Sequence, residues 1–421
     1  MPRRTGLPPS PASSAGHPRT PRLPWLLGPA LVAGVAYLDP GNVASNMTAG
    51  ARYGYLLAWV VVAANAMAWL VQYLSAKLGL VTGRSLPELL GRRIGRRSAR
   101  RMYWLQAELV AMATDVAEVI GGAVALWLLF DLPLLLGGLI TGAVSMAVLA
   151  LQKRGHRGFE YVIVSMMVII AVGFSAGVVN SPPDAGALAG GLVPRFDGAD
   201  SVLLAASILG ATVMPHAIYA HSALARDRFP ARTTRLDTGT LLRATRWDVT
   251  VALTVAGSVN LAILLLAAAS LQGTAGTDSL EGAYAAIEGT LGAVVATLFA
   301  VGLLASGLAS TSVGAYAGAE IMAGLLKVRI PLLARRLVTL LPALAILALG
   351  LDPTRSLILS QVVLSFGIPF ALVPLVWLTA RPGLMGAYRN RWWTTALGIL
   401  VAALLIGLNT LLLVLTFTGA G

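Results

Sequence analysis

Long apolar blocks that recur along the chain limit most strongly what it can fold into. Each block is about as long as the roughly 20 residues that a helix needs to cross a bilayer. Hydrophobic residues make up 57% of the 421 residues and charged residues only 12%. A soluble fold of this length would need far more polar surface. The sequence therefore predicts an all-α polytopic membrane protein.

The blocks predict eleven transmembrane helices. No segment between them is as long as a soluble domain, so residues 23–421 are predicted to form one transmembrane domain. The eighth block is long enough to continue as a helix beyond the bilayer. The spans lie near residues 25–49, 55–80, 102–129, 132–151, 159–179, 201–225, 247–271, 290–325, 335–350, 356–380 and 393–416.

The net charge of +13 is distributed in step with the spans. Of the 31 Lys and Arg residues, all but Arg52, Arg195 and Arg355 lie in the N-terminal tail or in the loops that follow even-numbered spans. This asymmetry predicts a cell (inner) membrane protein with a cytoplasmic N-terminus and an external C-terminus. A nucleic-acid binder would have no reason to alternate its charge in this way. The opposite loops carry the acids Asp131, Asp184, Asp197, Asp200, Asp278, Glu281, Glu288 and Asp352.

Residues 1–22 are rich in Pro, Ser and Arg and contain no apolar run. This composition predicts a disordered basic cytoplasmic tail, because a signal peptide would need an apolar region before its cleavage site. Cysteine is absent from the chain. Disulfides and thiolate metal sites are therefore excluded.

Span one is interrupted at its middle by the polar run Asp39-Pro40-Gly41-Asn42. Pro40 lacks a backbone N–H and clashes with the preceding turn, and Gly41 adds conformational freedom. Backbone groups released by such a break have to line protein or a water-filled cavity. Asp39 is costly at this depth if unpaired, which makes it a candidate functional residue. Helix capping is the alternative, but a cap does not need the centre of a membrane.

Span six repeats the interruption at Met214-Pro215-His216. Each break lies in the first span of a predicted five-span half. Matching broken segments in two halves indicate a transporter with its site at their interface, near the midplane of the membrane. The transmembrane domain then divides into repeat one (about 25–179), repeat two (about 201–380) and an extra span (about 393–416).

The residues at the two breaks offer a mixed set of metal donors. Asp39 supplies a carboxylate, Asn42 an amide oxygen, and Ala211 a backbone carbonyl if the chain unwinds there. Oxygen donors alone would suit Mg or Ca, whereas the thioether of Met214 favours Mn, Fe, Co, Zn or Cd. Packing is the alternative for Met214. Its position at one break that faces another favours the ligand role.

The runs at 39–42 and 214–216 resemble the two signature motifs of the Nramp family of proton-coupled divalent metal transporters. The resemblance covers nearly the whole chain, with eleven spans, a cytoplasmic N-terminus and both motifs in the expected spans. It implies a LeuT-like 5+5 inverted repeat with spans one and six broken. The metal ligands that it implies are the side chains of Asp39 and Asn42, the Ala211 carbonyl, the Met214 sulfur and, in some conformations, Gln361.

Gln361 also stands out without the resemblance, as a polar amide in the apolar run of span ten. A hydrogen bond to a neighbouring helix is the alternative role for such a residue. The sequence alone leaves both roles open.

Span three carries the acids Glu108, Asp115 and Glu118. At about 100° per residue, these acids fall within roughly an 80° arc of one helix, so they cannot all face lipid. Acid chains of this kind serve as proton relays or pair with buried cations. Glu108 is the weakest of these candidates, because it lies nearest the cytoplasmic end.

Arg335 and Arg336 begin span nine. One of them, preferentially Arg336, is expected to reach the span-three acids, and the family resemblance supports this pairing. An ordinary positive-inside anchor is the alternative. Glu320, near the end of the eighth block, is expected either to join this network or to meet water.

His216 and His221 lie in the second half of span six. Five residues separate them by about 140° around a helix, which excludes a shared ligand face. His216 is better placed as a gate or proton-path group. His221 is a second proton-path candidate, and an interhelical hydrogen bond is its alternative role.

These features predict a membrane transporter that imports Mn²⁺, Fe²⁺ or related divalent ions together with H⁺, without a permanent cofactor. An amino-acid symporter of the LeuT type is less consistent, because Asp39 would repel a substrate carboxylate. A magnesium-carrying relative is the closest alternative, and Met214 argues against it. An intramembrane hydrolase would need a nucleophile or metal motif that the sequence lacks.

Overall fold

The structure, a computed structural model, describes residues 29–152, 156–229, 237–328 and 330–418. The predicted tail, residues 1–22, and the first residues of predicted span one lie outside this part of the chain. Every regular element among the described residues is helical. This agrees with the predicted all-α class.

The described residues up to Gly191, which comprise the first predicted half and the connection that follows it, contain eight α-helices. A single 3₁₀ turn, Ala36–Leu38, separates the first two. The helices are α1 (Pro29–Val35), α2 (Pro40–Tyr53), α3 (Ala58–Thr82), α4 (Leu86–Arg93), α5 (Arg97–Phe130), α6 (Leu134–Gln152), α7 (His156–Asn180) and α8 (Ala185–Gly191).

The rest of the chain is again helical, with one further 3₁₀ turn at Gly386–Tyr388. The helices are α9 (Gly198–Thr212), α10 (Pro215–Arg228), α11 (Thr238–Ser270), α12 (Leu280–Leu291), α13 (Ala293–Leu326), α14 (Leu332–Ala348), α15 (Pro353–Ala380), α16 (Pro382–Met385) and α17 (Trp392–Thr418).

Seven helical segments in the described part of the chain are long and apolar enough to cross a membrane, and three shorter apolar helices accompany them. A helix lies at each of the eleven predicted positions. The number of spans that cross the bilayer stays a prediction. α4, α8, α12 and α16 are additional short helices between these positions.

Both predicted breaks are present, and the same local chemistry produces each of them. α2 begins at Pro40 with Asp39 as its N-cap, and α10 begins at Pro215 with Met214 at the N-cap position. Proline is favoured at a first helical position because it has no N–H to leave unsatisfied there. Asp39 and Met214 both have extended ψ angles, 161° and 121°. Each span therefore consists of two half-helices that meet at an extended residue.

Candidate metal site at the two helix breaks

Asp39 is fully buried and holds the N-terminus of α2. Its Oδ1 accepts hydrogen bonds from the backbone N–H and from the Nδ2 of Asn42, both at 2.9 Å. Its Oδ2 accepts from Nε2 of Gln361 at 3.0 Å. These donors are neutral, and no Lys or Arg of the described residues forms an ion pair with Asp39. Capping is thus one role of this carboxylate, but its charge has no fixed counterpart.

Asn42 joins the two breaks. Its Nδ2 donates to Asp39 and also to the carbonyl oxygen of Ala211, at 2.8 Å. That carbonyl is free for this contact because its normal helical donor would be the N–H of residue 215, which is a proline. A carboxylate and a carbonyl oxygen therefore converge on one amide group. If the Asn42 amide rotated by half a turn, its Oδ1 would become a third oxygen beside those of Asp39 and Ala211. In the structure this Oδ1 accepts a hydrogen bond from Thr212 at 3.4 Å.

Gln361 approaches both breaks from α15. A Cβ on Gly41 would lie 1.8 Å from its Nε2, and a Cβ on Gly210 would lie 1.9 Å from its carbonyl oxygen. Only glycine leaves room for this approach. The Oε1 of Gln361 is buried and has no hydrogen-bond partner among the described residues. An unpaired amide oxygen beside a buried carboxylate suits a cation ligand.

Met214 is fully buried at the second break, three residues after Ala211. Hydrogen bonds join Asp39, Asn42, Ala211 and Gln361, whereas Met214 is linked to this group through the chain. Among the described residues, no three His, Asp or Glu side chains converge as a metal cluster. A metal site at the breaks would therefore combine one carboxylate with amide, carbonyl and thioether donors.

The carbonyls released by the first break are bound by other helices. Asn260 of α11 donates from Nδ2 to the carbonyl of Tyr37 at 2.8 Å. Ser306 of α13 donates to the carbonyl of Leu38. Asn260 and Ser306 were not among the residues predicted from the sequence to be functional. Their signal was a polar side chain inside an apolar span, a common pattern that does not reveal its partner.

The predicted span-three acids lie on α5, next to both arginines of α14. Arg336 forms ion pairs with Asp115 and, at 3.4 Å, with Glu118. Arg335 pairs with Glu108 at 2.7 Å. The expectation that one arginine, preferentially Arg336, would reach these acids was therefore too narrow, since both do. Each of the three carboxylates keeps one buried oxygen without a partner in the described part of the chain.

His216 connects the second break to α5, the helix that carries the acids. Its Nδ1 lies 3.1 Å from the hydroxyl oxygen of Thr114, the residue before Asp115. His221 instead contacts Oε1 of Gln72 on α3, at 2.8 Å. The two histidines therefore face different helices, as their spacing predicted. His221 makes the interhelical hydrogen bond that was its alternative role.

Glu320 does not join the α5 acids. Arg226 of α10 binds it at 3.2 Å and also binds Glu88 of α4 at 3.0 Å. These residues line a cavity of about 900 Å³ on the side predicted to be cytoplasmic.

A second cavity, of about 400 Å³, opens on the opposite side. Arg52 lies in its wall, 2.7 Å from Asp278 and 3.6 Å from Asp200. The hydrogen bond from Arg52 lowers the pKa of Asp278. Asp39, Asn42 and Met214 are fully buried and line neither cavity. The candidate site is thus closed to water in this conformation.

Comparison with known proteins gives a consistent assignment. The family model "Nramp: Natural resistance-associated macrophage protein-like" matches residues 30–415. The "Divalent metal cation transporter MntH" of Mycobacterium tuberculosis is 62% identical over 398 residues, which cover 94% of this chain and 92% of the relative.

Solved structures agree with this assignment. A manganese transporter of Eremococcus coleocola matches with a TM-score of 0.83 and 32% identity, over 94% of this chain and 88% of that chain. Mhp1, a nucleobase-cation-symport-1 family transporter, matches with a TM-score of 0.58 and 15% identity, over 92% of this chain and 91% of that chain. The second match concerns the fold alone, and it supports the predicted LeuT-like architecture. The chain therefore belongs to the Nramp family of multi-pass membrane transporters.

Proposed function

We propose that this protein imports divalent transition metal ions, Mn²⁺ foremost, by alternating access and with coupling to protons. One observation carries the proposal: the oxygens of Asp39 and Ala211 converge on a single amide group where two broken helices meet. The unpaired oxygen of Gln361 lies on a side chain bonded to the same carboxylate. The names of the relatives from M. tuberculosis and E. coleocola support the substrate class.

Metal binding would replace hydrogen bonds that already exist. A dication between Asp39 and Ala211 would take the place of the Asn42 amide N–H groups, and the Asn42 oxygen could then face the ion. The thioether of Met214 would favour Mn²⁺ or Fe²⁺ over the harder Ca²⁺ and Mg²⁺. The type of ligand atom would thus give metal selectivity, because hard cations lose more binding free energy when a water oxygen is replaced by sulfur.

Asp39 would couple the metal to the proton. A buried carboxylate without a counter-ion holds a proton readily, and a dication bound to it expels that proton. The contact between His216 and Thr114 supports a route from the second break towards Asp115. Glu108, which is nearer than Asp115 to the cytoplasmic end of α5, would extend the route towards the cytoplasmic cavity, which Arg335 lines. Glu118, beside Arg336, would be a further proton-binding carboxylate of this group.

The membrane potential would drive import. An inside-negative potential of 100 mV favours inward movement by about 2.3 kcal/mol per charge, or about twice that for a dication. The burial of Asp39 supports alternating access, because a carrier has to pass through a state that is closed on both sides. The half-helices α1 and α10 would then move relative to the rest of the bundle.

Reconstitution into liposomes tests the proposal. With a metal dye and a pH dye inside, external Mn²⁺ should raise internal metal and acidify the interior, and Asp39→Ala should abolish both signals. Absence of Mn²⁺ uptake by the intact protein would refute the function itself. Mn²⁺ uptake without acidification would refute proton coupling only.

The role of Met214 needs a matched control. Met214→Ala should lower uptake of Mn²⁺ and let Ca²⁺ compete, whereas Met167→Ala, another buried methionine on α7, should leave selectivity unchanged. If both variants keep the selectivity of the wild type, Met214 only packs. If both lose it, the effect comes from general loosening of the bundle.

A further inference from the structure

A third cavity lies away from the metal site, at the ends of α3, α11 and α17 that are predicted to be cytoplasmic. Its volume is about 490 Å³. Four cationic side chains line it, and no acid does. These cations are Lys77, Arg246, Arg389 and Arg391.

Lys77 gives this cavity an unusual charge. It is only 8% exposed, and its Nζ donates to Oδ1 of Asn390 at 2.9 Å. The Asn390 amide is fixed in that direction because its Nδ2 donates to Thr379 at 2.7 Å. An ammonium has three donors, and burial of its charge is costly without an anion. The amide oxygen of Asn390 accepts from only one of these three donors and does not neutralise the charge.

The described residues supply no counter-ion for the cavity. None of the four cations forms an ion pair with a carboxylate among the described residues. The residues outside the described part contain no Asp or Glu at all, since the first acid of the sequence is Asp39 and the stretches 153–155, 230–236, 329 and 419–421 are free of acids. An anion from outside the protein is therefore a fitting partner for these cations.

Aromatic rings form one wall and position its cations. Trp69 stacks on Tyr73 with ring centroids 5.9 Å apart, and the guanidinium of Arg246 lies 5.4 Å from the Tyr73 ring. The indole N–H of Trp69 is bound to Thr250 at 2.9 Å. This wall is thus already ordered without a ligand.

The surroundings of the cavity match the membrane interface. Tyr388 and Trp393 line it, and the neighbouring Trp392 and Trp247 are exposed by 82% and 56%. Exposed Trp and Tyr concentrate at the level of lipid headgroups. Basic pockets between transmembrane helices on the cytoplasmic side bind anionic headgroups.

From these observations we propose that the cavity binds the phosphate of one anionic phospholipid headgroup of the cytoplasmic leaflet. Arg246 and Arg391 contact the phosphate from two sides, and Lys77 neutralises it from below. The acyl chains lie along the lipid-facing residues of α11 and α17, such as Val251 and Leu400, which are 42% and 52% exposed. None of the residues that line this cavity is a candidate metal ligand.

Lipid titration of the delipidated full-length protein by native mass spectrometry tests this site. Phosphatidylglycerol should bind at one site with at least tenfold higher affinity than phosphatidylcholine of the same acyl chains, and should raise the melting temperature more. Equal binding and equal stabilisation by the two lipids would overturn the proposal. Inorganic phosphate separates the sources of the anion: millimolar phosphate that binds there as tightly as the lipid would overturn the lipid assignment.

Substitutions locate the site. The double variant Arg246→Gln/Arg391→Gln should lose roughly tenfold to thirtyfold in phosphatidylglycerol affinity, because each cation near the surface contributes about 1 kcal/mol. Arg246→Lys/Arg391→Lys, which keeps the charge, should stay within about threefold of the wild type. Arg243→Gln, on α11 but outside the cavity, controls for diffuse attraction. If Arg243→Gln weakens binding as much as the double variant does, no specific site exists.

Discussion

Two groups of buried carboxylates in this protein differ in what lies beside them. Asp39 accepts hydrogen bonds only from neutral groups of Asn42 and Gln361. The acids of α5 are bound by the guanidinium groups of Arg335 and Arg336. A buried charge without a permanent partner has to be neutralised by something mobile, whereas a paired one is part of the framework. The difference is consistent with the proposed role of Asp39 in metal binding and with a partly structural role for the α5 ion pairs.

The α5 group is itself not fully neutralised. Three carboxylates, Glu108, Asp115 and Glu118, face two arginines, so one negative charge is in surplus. Each carboxylate also keeps an oxygen without a hydrogen bond in the described structure. The proposed proton route would use this additional carboxylate, since the arginines can stay in place. Such a group would fit beside the proposed metal site.

Asp39→Asn should show the largest effect on transport. It removes the unpaired carboxylate charge but breaks no ion pair. Mn²⁺ uptake into liposomes should therefore fall by about a hundredfold or more. The free energy of unfolding should change by only about 1 kcal/mol, since the amide can still accept from Asn42. A large loss of stability, measured by thermal unfolding, would mean that Asp39 is chiefly a structural cap.

Arg336→Met should do the opposite and damage the fold. It leaves Asp115 and Glu118 buried without their cation, which should cost about 3–5 kcal/mol of stability. Adding Asp115→Asn should recover part of this loss, because one of the two unpaired charges is removed. If Arg336→Met unfolds at the wild-type temperature, the α5 group is not the paired framework described above.

Gly210→Ala tests whether the Asp39 site depends on the close approach of α15. The new methyl group would meet the backbone carbonyl of Gln361 at 1.9 Å, so helices have to separate. We expect a cost of about 1–3 kcal/mol, as for other overpacked cores, and a loss of Mn²⁺ affinity. Gly407→Ala, on α17 with open space around it, should change neither quantity. Wild-type Mn²⁺ affinity in Gly210→Ala would show that Gln361 does not need this position.

Asp278→Asn should have the smallest effect. Its partner Arg52 is 44% exposed, and such pairs contribute about 0–1 kcal/mol. Because Arg52 lowers the pKa of Asp278 in the folded protein, the contribution is present above the ordinary Asp pKa of about 4 and is lost as the pH falls through the lower folded value. Melting temperatures of wild type and variant should differ slightly at pH 7 and converge in acid. A difference that persists in acid would point to packing instead.

The breaks themselves were the most predictable part of the molecule. Pro40 and Pro215 cannot donate the hydrogen bond that a continuous helix needs, so local chemistry alone requires an interruption at each. The apolar blocks predicted helices at the correct positions for the same reason, since each is set by a local run of residues.

The contacts between helices were less predictable. Three contacts were not predictable from the sequence. They are the ion pair between Arg335 and Glu108, the contact between His221 and Gln72, and the ion pair between Glu320 and Arg226. These pairs join residues 100 or more positions apart in most cases, and several partners were equally plausible for each charge. The close approach of Gln361 to Gly41 and Gly210 was equally hidden, because a glycine in an apolar span carries no sign of what packs against it.

The carbonyl of Ala211 has a consequence for how the site can change during evolution. A substitution at position 211 changes the side chain but leaves the backbone carbonyl in place. No substitution there can therefore remove this oxygen directly. The oxygen is free because residue 215 has no N–H to offer it. A residue with a backbone N–H in place of Pro215 could donate a helical hydrogen bond to the Ala211 oxygen. The availability of the Ala211 oxygen for the proposed metal site thus depends on a residue four positions further along the chain, which is not itself a proposed ligand.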